Sequence, residues 1–380
     1  MENLNQPFGL LPEALVEEML AKTESIGEFL SSTLKEINEK KPLFRNQLIR
    51  KGWLKKDNDL PRTDTPTSCA VDGSYVVEKL MAVDLVACAA ISIEGFTPPK
   101  EDRFWDKPRH LVEIFAEKHN PDYSTIIRGL MWEMEIILAG EPPHDVVFID
   151  GSLTNPIISL NASLNALEKL KQPKSEIIKK IESLFLDFLQ AYKRIVENRR
   201  SDKLWVGIPK YTSKKEIGDE LGWDNSYDDR AILTSILQAG EYTELVPYQQ
   251  PEQEWHINMK KLSNYVEGFE TIWEEIKAAI YRLHVLYYKP YSYTPTLRIE
   301  VPQALKSNQY QLAMLLAAIK FQFGTAGIME PYPLFMADKM VKSLAGAIPT
   351  FRQVATKKMA ENFEADLSEV YFSMHSYRTE

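Results

Sequence analysis

The apolar positions of this chain change period several times, and each change predicts an element. In "PEALVEEMLAKTESIGEFLSSTLKEI", Leu15, Met19, Ile26, Leu30 and Leu34 recur near a 3.6-residue period. With Pro12 in a first-turn position, this predicts a helix across 11–50. The polar, proline-bearing stretch "DNDLPRTDTPTS" at 57–68 breaks the pattern and predicts a linker. The organisation expected is an N-terminal helical segment over residues 1–62 and a main domain over 63–380. "SCAVDGSYVVEKL" and "MAVDLVACAAISIEGF" then predict neighbouring strands joined by a short turn. From Tyr123 to Gly140 a helix is expected, capped by Ser124 and ended by Gly140. Its apolar face is Ile127, Leu130, Met131, Met134 and Leu138. "DVVFIDGS" follows as a short apolar strand of the kind buried on both faces.

Beyond it, residues 159–200 are charged and helical, and Pro173 is expected to split them into two helices. This reads as a helical insertion over about 159–202. "KLWVGIPK", Lys203–Lys210, returns to strand, and "DDRAILTSIL" is a short helix with Asp228 or Asp229 near its cap. Residues 269–290 start helical and turn to strand from Ile280 onward. "TPTLRIEVP" alternates as a strand, "NQYQLAMLLAAIKFQF" is a helix, and another helix starts near Pro333. Strands that first meander and then alternate with helices predict an α/β fold, a mixed sheet with helices on its faces. No GxGxxG follows a strand and no GxxxxGK[ST] occurs, so a dinucleotide-binding fold and a P-loop enzyme are excluded.

Composition narrows the classes further. The 380 residues are 44% apolar and 26% charged, ordinary for a globular chain. The net charge of −9 supplies no overall basic field, so any nucleic-acid groove must be a local patch. The candidates are "KKIES", "YKRIVENRR" and "PKYTSKK", between Lys179 and Lys215. Cys69 and Cys88 form no CxxC, against a zinc ribbon or a disulfide framework, and read as buried thiols. No apolar run is long enough to span a bilayer, and no signal peptide is visible, so a soluble, cytoplasmic protein is expected. His256 and His284 read as structural, and the tyrosines of "VLYYKPYSYTP" read as strand packing before base stacking.

The chemistry concentrates in a repeated tripeptide. Asp-Gly-Ser occurs at Asp72 and at Asp150, each time beside an apolar strand. An ionised acid there is costly unless paired. Neighbouring strands lie about 4.8 Å apart, so acids on adjacent strands can share a cation. Oxygen donors of this kind suit magnesium or manganese, which can activate water for phosphodiester hydrolysis. Glu133 and Glu135 sit on the helix preceding the second strand, on opposite flanks of its apolar face, so one of them is expected to face the site. Asp338, in "PLFMADKM", is a further candidate ligand. The bland readings are an Asp-Gly turn, a solvated helix charge and a strand-end lysine at Lys210.

Taken in order, these stretches resemble the NurA nuclease family: "AVDGSY", a Glu-bearing helix before "VVFIDGSL", "WVGIPK", "DDRAIL", "LRIEVP" and "PYPLFMADKM". The resemblance implies a ribonuclease H-like nuclease core that depends on manganese or magnesium. It implies a homodimer acting on DNA ends with HerA, a hexameric ATP-driven translocase, in end resection and repair or in anti-phage defence. Carried over, Asp72, Glu133 (Glu135 as the alternative) and Asp150 are metal ligands, and Lys210 stands beside the scissile phosphate. The chain departs from the family at Asp338, where a histidine is common, and at Glu330, where a tyrosine is. A carboxylate at 338 remains a competent ligand for a hard metal. Two other readings are a catalytically degenerate subunit that only binds the ATPase ring, and an actin-like ATPase. The latter's phosphate loops want a spacer that Asp-Gly-Ser lacks.

Overall fold

A 39-residue helix, α1 (Glu13–Lys51), leads into a short edge strand, β1 (Leu54–Lys56). The computed structural model describes residues 11–96, 103–170, 175–223, 227–260 and 268–362, with Ser368, Glu369, Phe372, Met374 and His375 beyond. Three antiparallel strands follow as a meander: β2 (Ser68–Lys79), β3 (Asp84–Glu94) and β4 (Arg109–Glu117). Helix α2 (Tyr123–Gly140) returns the chain to β5 (Val146–Asp150), which runs parallel to β2. Helices α3 (Asn155–Lys169) and α4 (Glu176–Glu197) are two helices in the span read as charged and helical, and they pack into the main core; Pro173 lies outside the described residues. Then come β6 (Leu204–Ile208), parallel to β5, the helices α5 (Glu216–Leu221) and α6 (Asp229–Ile236), and the short strands β7 (Glu241–Thr243) and β8 (Val246–Pro247). Helix α7 (Phe269–Ile280), β9 (His284–Lys289), β10 (Leu297–Val301), α8 (Gln309–Phe321) and α9 (Tyr332–Asn362) complete it.

The strands make one mixed sheet in the order β1-β7-β9-β10-β6-β5-β2-β3-β4, with β8 beside β9. Both Asp-Gly-Ser strands therefore lie at its centre. Alternation within them feeds two cores. Val71, Val147, Ile149 and Trp205 pack with α2, α3, α4 and α7 on one face. Ala70, Phe148, Val206 and Ile208 pack with α8 and the start of α9 on the other. Helices thus cover both faces, and β5 reads as wholly apolar because neither face meets water.

Three differences from the sequence pattern have physical causes. The apolar stripe of α1 is largely uncovered: Leu15, Met19, Ile26, Leu30 and Leu34 are exposed, and only Ile37, Phe44 and Leu48 are buried. The helix projects past the sheet, and its first 24 residues span about 36 Å at 1.5 Å each. Strand β4 is an edge strand whose apolar residues fall on both faces: Leu111 and Phe115 are half-buried, while Val112 and Ile114 on the other face are exposed, so the sequence shows no polar–apolar alternation there. Helix α2 begins one residue before Ser124, which sits inside the first turn without capping it. The cysteines are free and buried as expected. Among the described residues, no helix is long and apolar enough to cross a membrane.

Candidate metal centre

The parallel register of β2 and β5 places the first two acids side by side. Val71 pairs with Ile149, so Asp72 comes level with Asp150 at the next step. Asp150 is also level with Ile208 on β6, and Lys210 follows two residues later on the same face. Helix α9 packs across β2 and β3 and brings in Asp338. Carboxylate oxygens of Asp72, Asp150 and Asp338 lie within 4.8 Å of one another.

A fourth carboxylate arrives from the opposite face. Glu135 of α2 is 1% exposed and stands against Gly73. A Cβ at Gly73 would sit 2.8 Å from Met131 Cγ and 3.0 Å from Glu135 Oε2. The glycine of the first Asp-Gly-Ser is thus explained by packing: it makes room for α2 and its acid. The second motif works differently. Gly151 has φ +99°, and its carbonyl crosses β6 where a Cβ at Gly207 would meet it at 2.8 Å. Two glycines, Gly151 just after β5 and Gly207 within β6, let this loop turn tightly.

Glu133, expected as the helix ligand ahead of Glu135, is placed elsewhere. Two residues apart on a helix means about 200° of rotation. Glu133 is fully buried within electrostatic reach of the Cys88 thiol, which it helps to raise. Burial alone holds its carboxyl well above the usual range. Glu135 is raised by burial and then by Asp72 and Asp150, which marks it as the acid that faces the pair. Sequence periodicity could not separate them, because α2 is buried all round and has no polar face to orient it.

Lys210 stands at the centre of the acids. Its Nζ lies 2.9 Å from Asp150 Oδ2, 3.3 Å from Asp338 Oδ1 and 3.3 Å from Glu330 Oε2. The Glu330 approach has ion-pair distance without hydrogen-bond alignment. Lys342 Nζ adds a 2.8 Å contact to Asp338. Burial lowers the Lys210 pKa, but the acids around it outweigh burial and raise it overall. Asp72 is pushed up to about 7 by burial and by Asp150. Asp150 is raised by burial, against the pull of Lys210. Burial also works to raise Asp338, yet its hydrogen bonds to Lys342 and Lys210 leave it lowered.

The donor set fits a hard divalent cation. All candidate ligands are carboxylate oxygens. Glu135 Oε1 is buried with no hydrogen-bond partner beside two aspartates, and so dry an acid calls for a counter-charge. Gly73 N donates to Asp72 Oδ1 at 2.8 Å and fixes the carboxylate plane.

A buried ion triad supports the second loop. Arg298 on β10 pairs with Glu300 and, at 2.5 Å, with Glu216 Oε1. Glu300 Oε2 accepts from Ser152 Oγ at 2.7 Å and from Leu153 N at 2.8 Å. The triad ties the loop after Asp150 to the strand β10. Sequence reasoning missed it, although an Arg and a Glu two apart on one face of an apolar strand was the available signal. Glu330 was noted only as a departure; its place beside Lys210 depends on α9 docking. On and just after α4, Lys180 pairs with Glu113, Lys193 with Glu275 and Arg199 with Glu197; Arg199 also lines a cavity with Arg282 and Lys306. His256 and His284 bond to Asn161 and to the Arg282 carbonyl, away from the acids.

An open mixed sheet with two aspartates on adjacent parallel strands, joined by acids from helices on both faces, defines an α/β protein with a sheet-borne carboxylate centre. The chain belongs to the NurA family: the model described as "NurA domain" matches residues 66–343. Among solved structures, the fold is similar to the NurA nuclease from Sulfolobus solfataricus, at 15% identity and TM-score 0.59, covering 91% of this chain and 98% of that one. It is similar to NurA with manganese, at 13% and 0.54, covering 90% and 99%. It is also similar to NurA bound to dAMP and manganese, at 14% and 0.50, covering 84% and 93%. Comparison with curated proteins finds no match.

Proposed function

We propose that this chain is a divalent-metal-dependent deoxyribonuclease that hydrolyses phosphodiester bonds at DNA ends. The observation that carries the reading is the juxtaposition of Asp72, Asp150 and Asp338, all oxygen donors, with the buried Glu135 in electrostatic reach of the first two, in a NurA-family chain. Solved relatives described as bound to manganese and to dAMP support it. The order β4-β3-β2-β5-β6, an antiparallel meander joined to two parallel strands, fits the ribonuclease H-like core that the resemblance implies.

Asp72, Asp150, Asp338 and Glu135 are the residues that would hold manganese or magnesium. The ion supplies Lewis-acid polarisation and a lowered water pKa. Lys210 currently neutralises three acids. Once their charge is balanced otherwise, its ammonium is positioned to hydrogen-bond a phosphate oxygen and stabilise developing negative charge. Asp150 is held in place for this by the Glu300-anchored loop. Glu133 keeps a structural place in the core.

The acidic chain has weak intrinsic DNA affinity in this account, and a HerA-type hexameric ATPase delivers the strand. The exposed apolar stripe of α1 is the proposed contact for a homodimer, since so many uncovered large side chains mark an interface. The setting is cytoplasmic DNA end resection and repair, or anti-phage defence. The test is cleavage of end-labelled DNA with manganese, magnesium or EDTA, alone and with the ATPase. Cleavage with manganese and none with EDTA is expected. No cleavage with either ion, in the presence of the ATPase, overturns the reading.

A pH dependence follows from Asp72. Its folded value near 7 lies above the ordinary 3.8. A raised acid binds its proton more tightly when folded, so metal-free stability falls as pH rises from about 4 to about 7. Manganese must displace that proton, so affinity rises with pH up to neutrality, by up to about tenfold per unit. Calorimetry at pH 6 and pH 8 checks this; tighter binding at pH 6 contradicts it.

A further inference from the structure

The run Asp228-Asp229-Arg230 opens α6, and each of its side chains holds a different piece of backbone. Asp228 is the N-cap and accepts from Ala231 N at 2.8 Å, which fixes where the helix begins. Asp229 is 1% exposed and accepts from Ile217 N at 2.7 Å and from Gly218 N at 2.8 Å. It thereby pins the first turn of α5, whose Glu216 pairs with Arg298. A Cβ at Gly218 would lie 2.7 Å from Asp229 Oδ1, so the acid meets α5 at an approach that glycine alone allows.

Arg230 holds two carbonyls. Its Nη1 donates to Lys210 O, and its Nε donates to Thr296 O at 2.9 Å. Lys210 lies beyond the end of β6 and Thr296 just before β10. These strands are neighbours, registered at Gly207 and Glu300. The guanidinium thus joins the two chains where their strand pairing has ended. Thr234, one turn further along α6, accepts from Thr296 N at 3.1 Å on the same helix face. A planar fork with donors aimed at two carbonyls is a geometry that an ammonium cannot copy.

The anchored residue is the cation of the centre. A lysine stem is flexible, so its ammonium finds one place among Asp150, Asp338 and Glu330 only if its backbone is held. We infer that Arg230 is a positioning residue for the reaction: by tying the Lys210 backbone to the start of β10, it holds the Lys210 ammonium where negative charge develops. The inference rests on the nuclease reading above. From one helix start, Asp229 then steadies the loop after Asp150 through α5, Arg298 and Glu300, and Arg230 steadies the loop that carries Lys210.

The test is a double-mutant cycle on cleavage of end-labelled DNA by the full chain, with manganese and the ATPase. Arg230→Gln lowers kcat about tenfold, within the hundredfold that a misplacement of about 1 Å can cost. KM stays unchanged, and calorimetry shows manganese bound no more weakly than by the wild type. Lys210→Met lowers kcat about a hundredfold, which leaves a measurable rate. In that background Arg230→Gln has no further effect, because the group it positions is gone. A general loss of folded protein would instead lower the rate in both backgrounds. If Arg230→Gln does not fold, Arg230→Lys, which keeps the charge and can bond one carbonyl, goes through the same cycle. A further tenfold fall in the Lys210→Met background, weakened manganese binding, or a wild-type kcat in either single variant overturns the inference alone. A wild-type chain that cleaves nothing with either ion overturns the nuclease reading, and the inference with it.

Discussion

Asp150→Asn is expected to reduce manganese-dependent DNA cleavage by at least about a thousandfold while leaving the fold intact. Asp150 ends the central strand β5, lies level with Asp72, and is the closest acid to Lys210 at 2.9 Å. An amide keeps its shape but removes half the charge that two neighbouring carboxylates present to a cation. Near-wild-type cleavage by this variant, read from initial rates at saturating manganese, contradicts the assignment. The metal-free variant should also melt no lower than the wild type at pH 8. Removing one of two crowded like charges relieves the repulsion that, with burial, raises Asp72.

Arg298→Met is expected to destabilise the protein by about 3–5 kcal/mol, the cost of leaving buried charges unpaired. Arg298 is 1% exposed and serves both Glu216 and Glu300, themselves buried. Its loss leaves two carboxylates in the core, one of them holding Ser152 and Leu153 in place. Urea denaturation should show a lowered midpoint, and cleavage should fall with it as the Asp150 loop loosens. Glu300→Gln should be milder, because the amide oxygen can still accept from Ser152 or Leu153. Wild-type stability of Arg298→Met would mean that the triad does not anchor the loop.

Much of the centre was legible because its first two acids are local features: each sits at a fixed place beside a strong apolar run. The antiparallel β2–β3 pair, the buried β5 and the helix–strand alternation were readable for the same reason. What was hidden depended on long-range packing. That Glu135 rather than Glu133 stands beside Gly73 and the aspartates depends on how α2 docks, since a helix buried nearly all round shows no preferred face. Glu330 reaches Lys210 across 120 residues of sequence. Strands β1, β7 and β8 are two or three residues long, too short for any periodicity. The α1 stripe was legible as a helix, yet nothing local indicated that the rest of the chain would leave it uncovered.

The central claim is that Asp72 and Asp150, with Asp338 and Glu135, form one metal centre. The most direct measurement is an anomalous difference map from crystals of the full chain grown with manganese. The account predicts a peak between Asp72 and Asp150, with Glu135 nearer to it than Glu133. Manganese bound away from these acids, in protein that cleaves DNA, would contradict it.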